Sequence, residues 1–434
     1  MIDIANLRQH PEIYRKAASD KSKEVDFDLI LKLDAEVSTK ERAIQELRTT
    51  RNELAQLGKT DPDKARSEGK RIKDELKDLE DQLSVLRLQL DPLLLQIPNV
   101  PLPEVPVGHS EAENKVVKEW GTKPAFTFKP QTHWQIAEKL DLIDKERATK
   151  VAGSRFAYIK GDLVRLQFAI VQFVMQTLGD EAVLQKLIDA HGLKLSAKPF
   201  TPILPPAMIK TSAYQAMDRL EPREDRYRVG SDEDDLWLQG SAEHTLGSMY
   251  WNETLPESAL PIRYIGYLTS FRREAGTYGK DTEGILRMHQ FDKLEMETFS
   301  TPETGGDEHK FMIALQEYLM QRLEIPYRLI QKCTYDIGKP NASGWDTNAW
   351  MPGQDTYKET HTADYMTDFQ ARRLNTRVKR NEGGTDYVHT NDATAFALGR
   401  IMIAIIENYQ QADGSITVPL ALQQFCGMKS IGGK

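Results

Sequence analysis

The chain has 434 residues, 40% hydrophobic and 28% charged, which is the make-up of a soluble protein with two or three domains. A net charge of −8 argues against coating nucleic acid by bulk electrostatics, although a local basic patch remains compatible with it. Two cysteines, Cys333 and Cys426, exclude a disulfide framework, and nine scattered histidines with no C-x-x-C or H-E-x-x-H pair leave no zinc to be expected. No apolar run approaches the ~20 residues of a membrane span. The N-terminus also lacks the apolar core of a signal peptide, so a cytoplasmic protein with no membrane partner is expected.

In chain order, residues 1–25 predict a short helix and a connection. From Phe27 a heptad takes over: Ile30, Leu33, Val37, Lys40, Ile44, Leu47, Arg51 and Leu54, apolar at all but two positions. Pro62 and Gly69 interrupt it. A second series then runs through Ile72, Leu76, Leu79, Leu83, Leu86, Leu90 and Leu93. The spacing predicts an antiparallel coiled-coil hairpin over residues 27–94, each helix about 45 Å long at 1.5 Å per residue. Such an arm is either a dimerisation or spacer element, or a probe that reaches a distant part of a large ligand. Its mixed surface charge does not choose between them. Residues 91–113 hold five prolines; Pro92 is expected to close the second helix, and the domain boundary falls near residue 105.

The remainder, residues 106–434, reads as one α+β unit. Leu163–Leu178 is apolar nearly all round, hence a buried or interface helix. Ala182–His191 predicts another helix, followed by the extended PFTPILPPAM. Strands are expected at Leu236–Leu238, Ile262–Leu268, Trp345–Met351 and Thr356–Thr360. An amphipathic helix is expected over Asp307–Glu324 and a last helix over Ala395–Tyr409. Strand runs without βαβ alternation favour an antiparallel sheet flanked by helices.

The stretch FRREAGTYGKDTEGILRMHQFDKLE, beginning at Phe271, reads as strand, glycine-bearing loop, strand. Its flanks carry Arg272, Glu274, Arg287, His289 and Glu295. Two arginines facing one site can grip phosphate oxygens with planar forks; the plain alternative is a hairpin with a solvated charged tip. Glycine-cradle nucleotide motifs fail here: Gly276-x-x-Gly279-Lys280-Asp281 has the wrong spacing and no Ser or Thr after the lysine. Any ATP would have to be held on a sheet by arginines. Arg400, inside the last apolar helix, either pairs with Glu407 or another core carboxylate, or serves as a ligand clamp.

These blocks resemble the class II aminoacyl-tRNA synthetases, in the bacterial-type seryl-tRNA synthetase form. FRREAG…GKDTEGILRMHQFDKLE looks like motif 2, ALGRIMIAIIENY (Ala397–Tyr409) like motif 3, and the long helix with PFTPILPPAM like motif 1. DFQARR at Asp368–Arg373 and SAEHTL at Ser241–Leu246 match further blocks, and the coiled-coil hairpin matches the family's tRNA-binding arm. The resemblance implies a homodimer that activates L-serine with ATP and Mg²⁺ and passes it to serine tRNA, with selenocysteine tRNA as a second candidate acceptor. By position it implies that Arg272, Arg273 and Glu274 contact ATP and that Phe291 and Arg400 sandwich the adenine. Arg287 and Arg400 would lie near the γ-phosphate. Glu359 would meet Mg²⁺ and nucleotide, with Thr360, His361 and Thr362 beside it. Serine would meet Ser241, Ala242, Glu243, Arg272, Glu295 and Thr394.

Three departures bear on the substrate. Ser241 stands where the family's Thr-x-Glu block begins with threonine. Residues 359–365 read ETHTADY in place of Glu-Ile-Ser-Ser-Cys-Ser-Asn, and Asp392-Ala393-Thr394 replaces Asn-Gly-Ser. Besides a divergent serine enzyme, two rival readings stand: a ligase that loads a carrier, and a non-catalytic tRNA-binding paralogue. The arm speaks against the first, and retention of Arg272, Glu274, Glu295, Glu359 and Arg400 against the second.

Overall fold

In the computed structural model, which describes residues 2–57, 62–231, 234–275 and 284–432, the two heptad series form two long helices. Before them stand two short helices where one was expected, α1 (Ile4–Gln9) and α2 (Pro11–Asp20). Pro11 lacks an N–H and pushes His10 out of helical geometry, so the chain restarts there. The hairpin helices are α3 (Phe27–Leu57) and α4 (Pro62–Leu94). Ile44, Ile72 and Leu76 are buried in their seam, and Leu47, Leu54, Leu79 and Leu83 pack against them. Arg48 pairs with Glu80 at 2.9 Å and Arg87 with Glu41 at 2.6 Å beside it. Pro62 is the first residue of α4, a position whose N–H would be unpaired anyway. Gly69 lies inside α4 without breaking it, and Pro92 does not close it: the last turn absorbs one missing donor and runs on to Leu94.

The chain divides into two compact units, Met1–Val100 and Pro101–Lys434. The second is built on an eight-stranded sheet. Its strands are β1 (Lys115–Trp120), β2 (Thr201–Ile203), β3 (Ile262–Phe271), β4 (Gln290–Ser300), β5 (Tyr327–Gln331), β6 (Ser343–Met351), β7 (Thr356–Thr367) and β8 (His389–Ala397). Their spatial order is β1-β5-β6-β7-β8-β4-β3-β2, with every pair antiparallel except the edge strand β2, which runs parallel to β3.

Period-2 alternation divides the side chains of the central strands between two faces. Leu294, Met296, Ala363 and Ala393 enter the main core. Lys293, Glu295, Glu297, Asp392, Thr394, Thr362 and Asp364 alternate with them and share the other face. The core face is covered by α5 (His133–Lys139), α6 (Asp162–Leu178), α7 (Glu181–Ala190), α9 (Gly305–Arg322) and α10 (Leu398–Asn408). Helix α8 (Glu243–Gly247) packs on β3 and β4.

Three expectations shift. Helix α9 is buried on nearly every side and not amphipathic, because it lies on the sheet with its polar groups employed: Gln316 Nε2 donates to the carbonyls of Thr362 and Thr394 at 2.8 and 2.9 Å. The last helix starts at Leu398, since Phe396 and Ala397 still pair with Leu294 and Lys293. Arg272, Glu274, Arg287 and His289 stand just beyond the ends of β3 and β4, not on the strands. There the two segments stay in register through Arg272 N–H to the His289 carbonyl at 3.0 Å. The outer loop expected after Ala275 falls in residues 276–283, outside the described residues.

Candidate active site

A cavity opens on the polar face of the sheet, lined by residues from β4, β7, β8, the hairpin flanks and the first turn of α10. Arg272, Glu274, Arg287, Phe291, Glu359, Thr360, Thr362, Thr394 and Arg400 all line it, together with Ile285, Leu286, Met288, Lys293, Ala397 and Gly399. Sequence positions more than 120 residues apart are thus brought together.

Cations dominate one end. Arg272 donates from Nε to the Gly240 carbonyl at 3.1 Å, and its guanidinium lies 5.4 Å from the centre of the Phe291 ring. Burial, and then the positive neighbours Arg226 and Arg400, push its guanidinium below its usual range. Arg287 donates from Nη1 to Glu274 Oε2 at 2.6 Å. Glu274 sits at φ 54°, a left-handed conformation uncommon for a non-glycine residue and frequent where function constrains the backbone. Arg400 does not pair with Glu407. It donates from Nη1 to Glu359 Oε1 at 2.8 Å. Enclosure raises the Glu359 carboxyl, but Arg400, Lys332 and Arg272 outweigh it and hold the group ionised, below the usual carboxylate range.

The bulge between β6 and β7 sorts the residues that follow Glu359. Thr347 faces His361 and Asn348 faces Glu359, so Thr360 is the extra residue. Glu359, Thr360 and Thr362 therefore reach the cavity, while His361 turns into the core. Its ring is buried 5.0 Å from the Phe396 ring, and burial pushes it down to about 3, a neutral imidazole. Arg273 also leaves the site; it is exposed, with its guanidinium over Tyr227.

The other end is built around Lys293, which the sequence reading did not single out. Its Nζ lies 2.6 Å from Glu295 Oε2 and donates to Ser241 Oγ at 3.3 Å. Glu295 is fully buried opposite Thr394 on β8. Burial raises its carboxyl, against the pull of Lys293. Gly266 allows the Ser241–Glu243 segment to lie close on the sheet: a Cβ there would meet Leu246 Cδ1 at 2.8 Å and Ala242 Cβ at 3.4 Å. The Ala242 side chain is buried with Leu246 and Leu268, so only its backbone is left to meet a ligand. Glu243 is held by Arg219, Nε to Oε1 at 2.5 Å. Arg219 also reaches Asn341 at 3.2 Å and approaches Asp392 to 3.6 Å.

Deeper on the same face, Glu297 lies opposite Asp392, and Asp392 opposite Asp364. All three are buried. Burial first, and then Asp392, Glu243 and Glu295, push Glu297 well above the usual carboxylate range; burial, Glu243 and Asp364 do the same to Asp392. Among the described residues no group of three or more His, Cys, Asp or Glu side chains is disposed to hold a metal ion alone. Glu359, ionised and half-exposed in the cavity, fits a Mg²⁺ that takes its remaining ligands from phosphates and water.

Known proteins resemble this chain over its full length. The model of the seryl-tRNA synthetase N-terminal domain matches residues 1–101, and that of the tRNA synthetase class II core domain (G, H, P, S and T) matches residues 227–409. The chain is 38% identical over 446 residues to the serine–tRNA ligase of Gloeothece citriformis, with both proteins covered over 100% of their length. Among solved structures, the seryl-tRNA synthetase of Pyrococcus horikoshii complexed with ATP is 35% identical, with a TM-score of 0.86 and 100% of each chain covered. The cytoplasmic serine–tRNA ligase of Naegleria fowleri in complex with AMP is 26% identical with a TM-score of 0.84, covering 100% of this chain and 99% of that one. On this full-length similarity, the chain belongs to the seryl-tRNA synthetase family of class II aminoacyl-tRNA synthetases.

Proposed function

We propose that this chain activates L-serine with ATP and transfers it from the adenylate to the 3′ end of serine tRNA. The observation that carries the reading is the two-ended cavity. Arg272 over the Phe291 ring, with Arg287 and Arg400, lines one end, while Lys293 and Thr394, backed by Ser241 and Glu295, form the other.

In the first step a serine carboxylate oxygen attacks the α-phosphorus of ATP, the bond to the bridging oxygen breaks, and pyrophosphate leaves with its electron pair. This chain supplies positioning and charge neutralisation, with no covalent nucleophile of its own. Arg272 neutralises the α-phosphate and Phe291 carries the adenine face. Arg287 and Arg400, once released from Glu274 and Glu359, take the outgoing phosphates. Glu359 would hold a Mg²⁺, which would supply positive charge to the phosphates. At the amino-acid end Glu295 receives the serine ammonium, and Thr394 with Ser241 receives the hydroxyl. A site built to bond that hydroxyl rejects alanine, because its buried polar groups are otherwise left unpaired. In the second step the terminal ribose hydroxyl of the tRNA attacks the seryl carbonyl and AMP leaves.

The α3–α4 hairpin serves as the tRNA contact, with the long variable arm of serine tRNA as its natural target. A homodimer accounts for the large apolar side chains left exposed on and near α6 and β2, among them Phe168 and Leu204. No helix among the described residues is long and apolar enough to cross a membrane, and the cytoplasm is the proposed location. ATP–pyrophosphate exchange with each amino acid, followed by charging of serine tRNA, tests the reading. Serine-dependent exchange and serine charging are expected; exchange with another amino acid and none with serine would overturn it.

A further inference from the structure

His133, the first residue of α5, is almost wholly buried and belongs to none of the contacts just described. Its backbone N–H donates to Glu407 Oε1 at 3.0 Å, and its Nδ1 lies 3.0 Å from the same oxygen. Its Nε2 lies 3.2 Å from the backbone nitrogen of Ile285. A backbone N–H can only donate, so Nε2 is the acceptor and the ring hydrogen sits on Nδ1, directed at Glu407. One neutral tautomer satisfies both contacts. Losing either nitrogen's role breaks one of them.

Both partners lead to the adenylation site. Ile285 lines the cavity and opens the return flank of the hairpin. Glu407 lies on α10 seven residues, two helical turns, after Arg400, so it fixes the helix that presents Arg400. Glu407 is itself fully engaged: Gln354 Nε2 donates to Oε1 at 2.9 Å and the Gly353 N–H to Oε2 at 2.9 Å. The fit around the ring is close. Gly284, at φ 63°, would place a Cβ 1.8 Å from His133 Nε2, and a Cβ on Gly399 would come within 3.4 Å of the Ile285 carbonyl oxygen.

We propose that His133 is a positioning residue of the ATP end of the site, tying the return flank of the hairpin at Ile285 to the Arg400 helix by way of Glu407. The inference rests on the adenylation reading for its kinetic consequence, but the tie itself is a matter of bonding. It predicts a separation of effects. Ile285 and Arg400 belong to the nucleotide end, whereas Ser241 and Glu295 are held by Lys293, and Thr394 lies opposite Glu295 in the sheet. Loosening the tie therefore disturbs ATP and spares serine.

The test uses the full-length protein and two variants. His133→Phe keeps a planar ring and removes both ring bonds; Glu407→Gln keeps the shape and turns one acceptor into a donor. In each, the Ile285 amide is expected to exchange hydrogen faster than in the wild type. The kcat/KM for ATP in serine-dependent pyrophosphate exchange should fall, by about 100-fold in His133→Phe, the order of loss that misplacement of about 1 Å brings. The KM for serine should stay within about threefold, a split that general loss of packing would not produce. If His133→Phe does not fold, Glu407→Gln carries both readouts. Unchanged Ile285 exchange, unchanged ATP kinetics, or a serine KM that rises in step with that for ATP would overturn the proposal. Absence of serine-dependent exchange in the wild type would instead overturn the adenylation reading and leave the Ile285 measurement as the judge of the tie.

Discussion

Arg400 and Glu359 meet across the cavity, Nη1 to Oε1 at 2.8 Å and Nη1 to the Glu359 carbonyl oxygen at 3.0 Å. Both side chains remain partly open to solvent, where such a pair contributes only about 0–1 kcal/mol. A phosphate can therefore take Arg400 from Glu359 at little cost. Arg400→Ala is expected to lower serine-dependent pyrophosphate exchange by about 100- to 1000-fold, the scale of losing one preorganised charge at a reacting group. Because the lost pair is weak, thermal melting should move little. A variant with near-normal exchange would remove Arg400 from the assigned role.

At the other end of the cavity, Lys293 supplies the nearest positive charge to Glu295. Burial already pushes that carboxyl upward, so removing the lysine favours its neutral form. A neutral Glu295 holds an ammonium poorly. Lys293→Met should therefore raise the KM for serine by about tenfold or more, as expected for removal of a charge-assisted contact of about 1.5–3 kcal/mol, with the KM for ATP much less affected. Steady-state exchange with each substrate varied in turn checks this, and a parallel rise in both constants would contradict it.

Glu297 links the site to the pH dependence of stability. Its folded pKa is raised above the ordinary value of 4.5, so the folded chain keeps a proton that the unfolded chain releases. Its contribution is therefore full below about pH 4.5 and is lost as pH rises toward the folded value, at about 1.4 kcal/mol per pH unit while the difference in bound protons is one. Glu297→Gln removes this titration. Melting at pH 5, 6.5 and 8 should show a flatter decline than in the wild type, with the variant the more stable of the two at pH 8. Parallel declines would mean that Glu297 does not carry this linkage.

What could be read from the sequence follows from what leaves a local pattern. The heptads, the period-2 strands and the arginines flanking them all do, and the α+β architecture with a central antiparallel sheet came out as expected. The charges at Lys293, Glu295 and Glu297, alternating with buried Leu294 and Met296, were a usable sign that β4 turns one polar face to a site; only Glu295 was taken from it. Strand β1 left no such sign, because it is an edge strand exposed along nearly its whole length. Arg219 and Asp392 meet through folding alone, as do His133 and Glu407. The bulge at Thr360, beyond which His361 turns into the core beside Phe396, leaves no mark in the local sequence.

The hairpin arm gives the sharpest separation of the two half-reactions. Arg8 pairs with Asp34 at 2.5 and 2.8 Å near the base of α3, and Lys40 with Gln82 at 2.5 Å further along, so the stem has its own contacts. Replacing residues 42–80 by a short glycine-rich turn keeps these and removes the outer seam around Ile44, Ile72 and Leu76. The cavity and every residue lining it lie in the other unit. Serine-dependent pyrophosphate exchange should therefore stay close to that of the full chain. Charging of serine tRNA should fall by about 100-fold or more, because a second, linked contact that raises effective concentration is lost. The defect should lie mainly in the KM for tRNA and shrink at high tRNA concentration. Undiminished charging by the shortened chain would make the arm a structural element only, and an equal loss of exchange would mean that the arm supports the fold of the site.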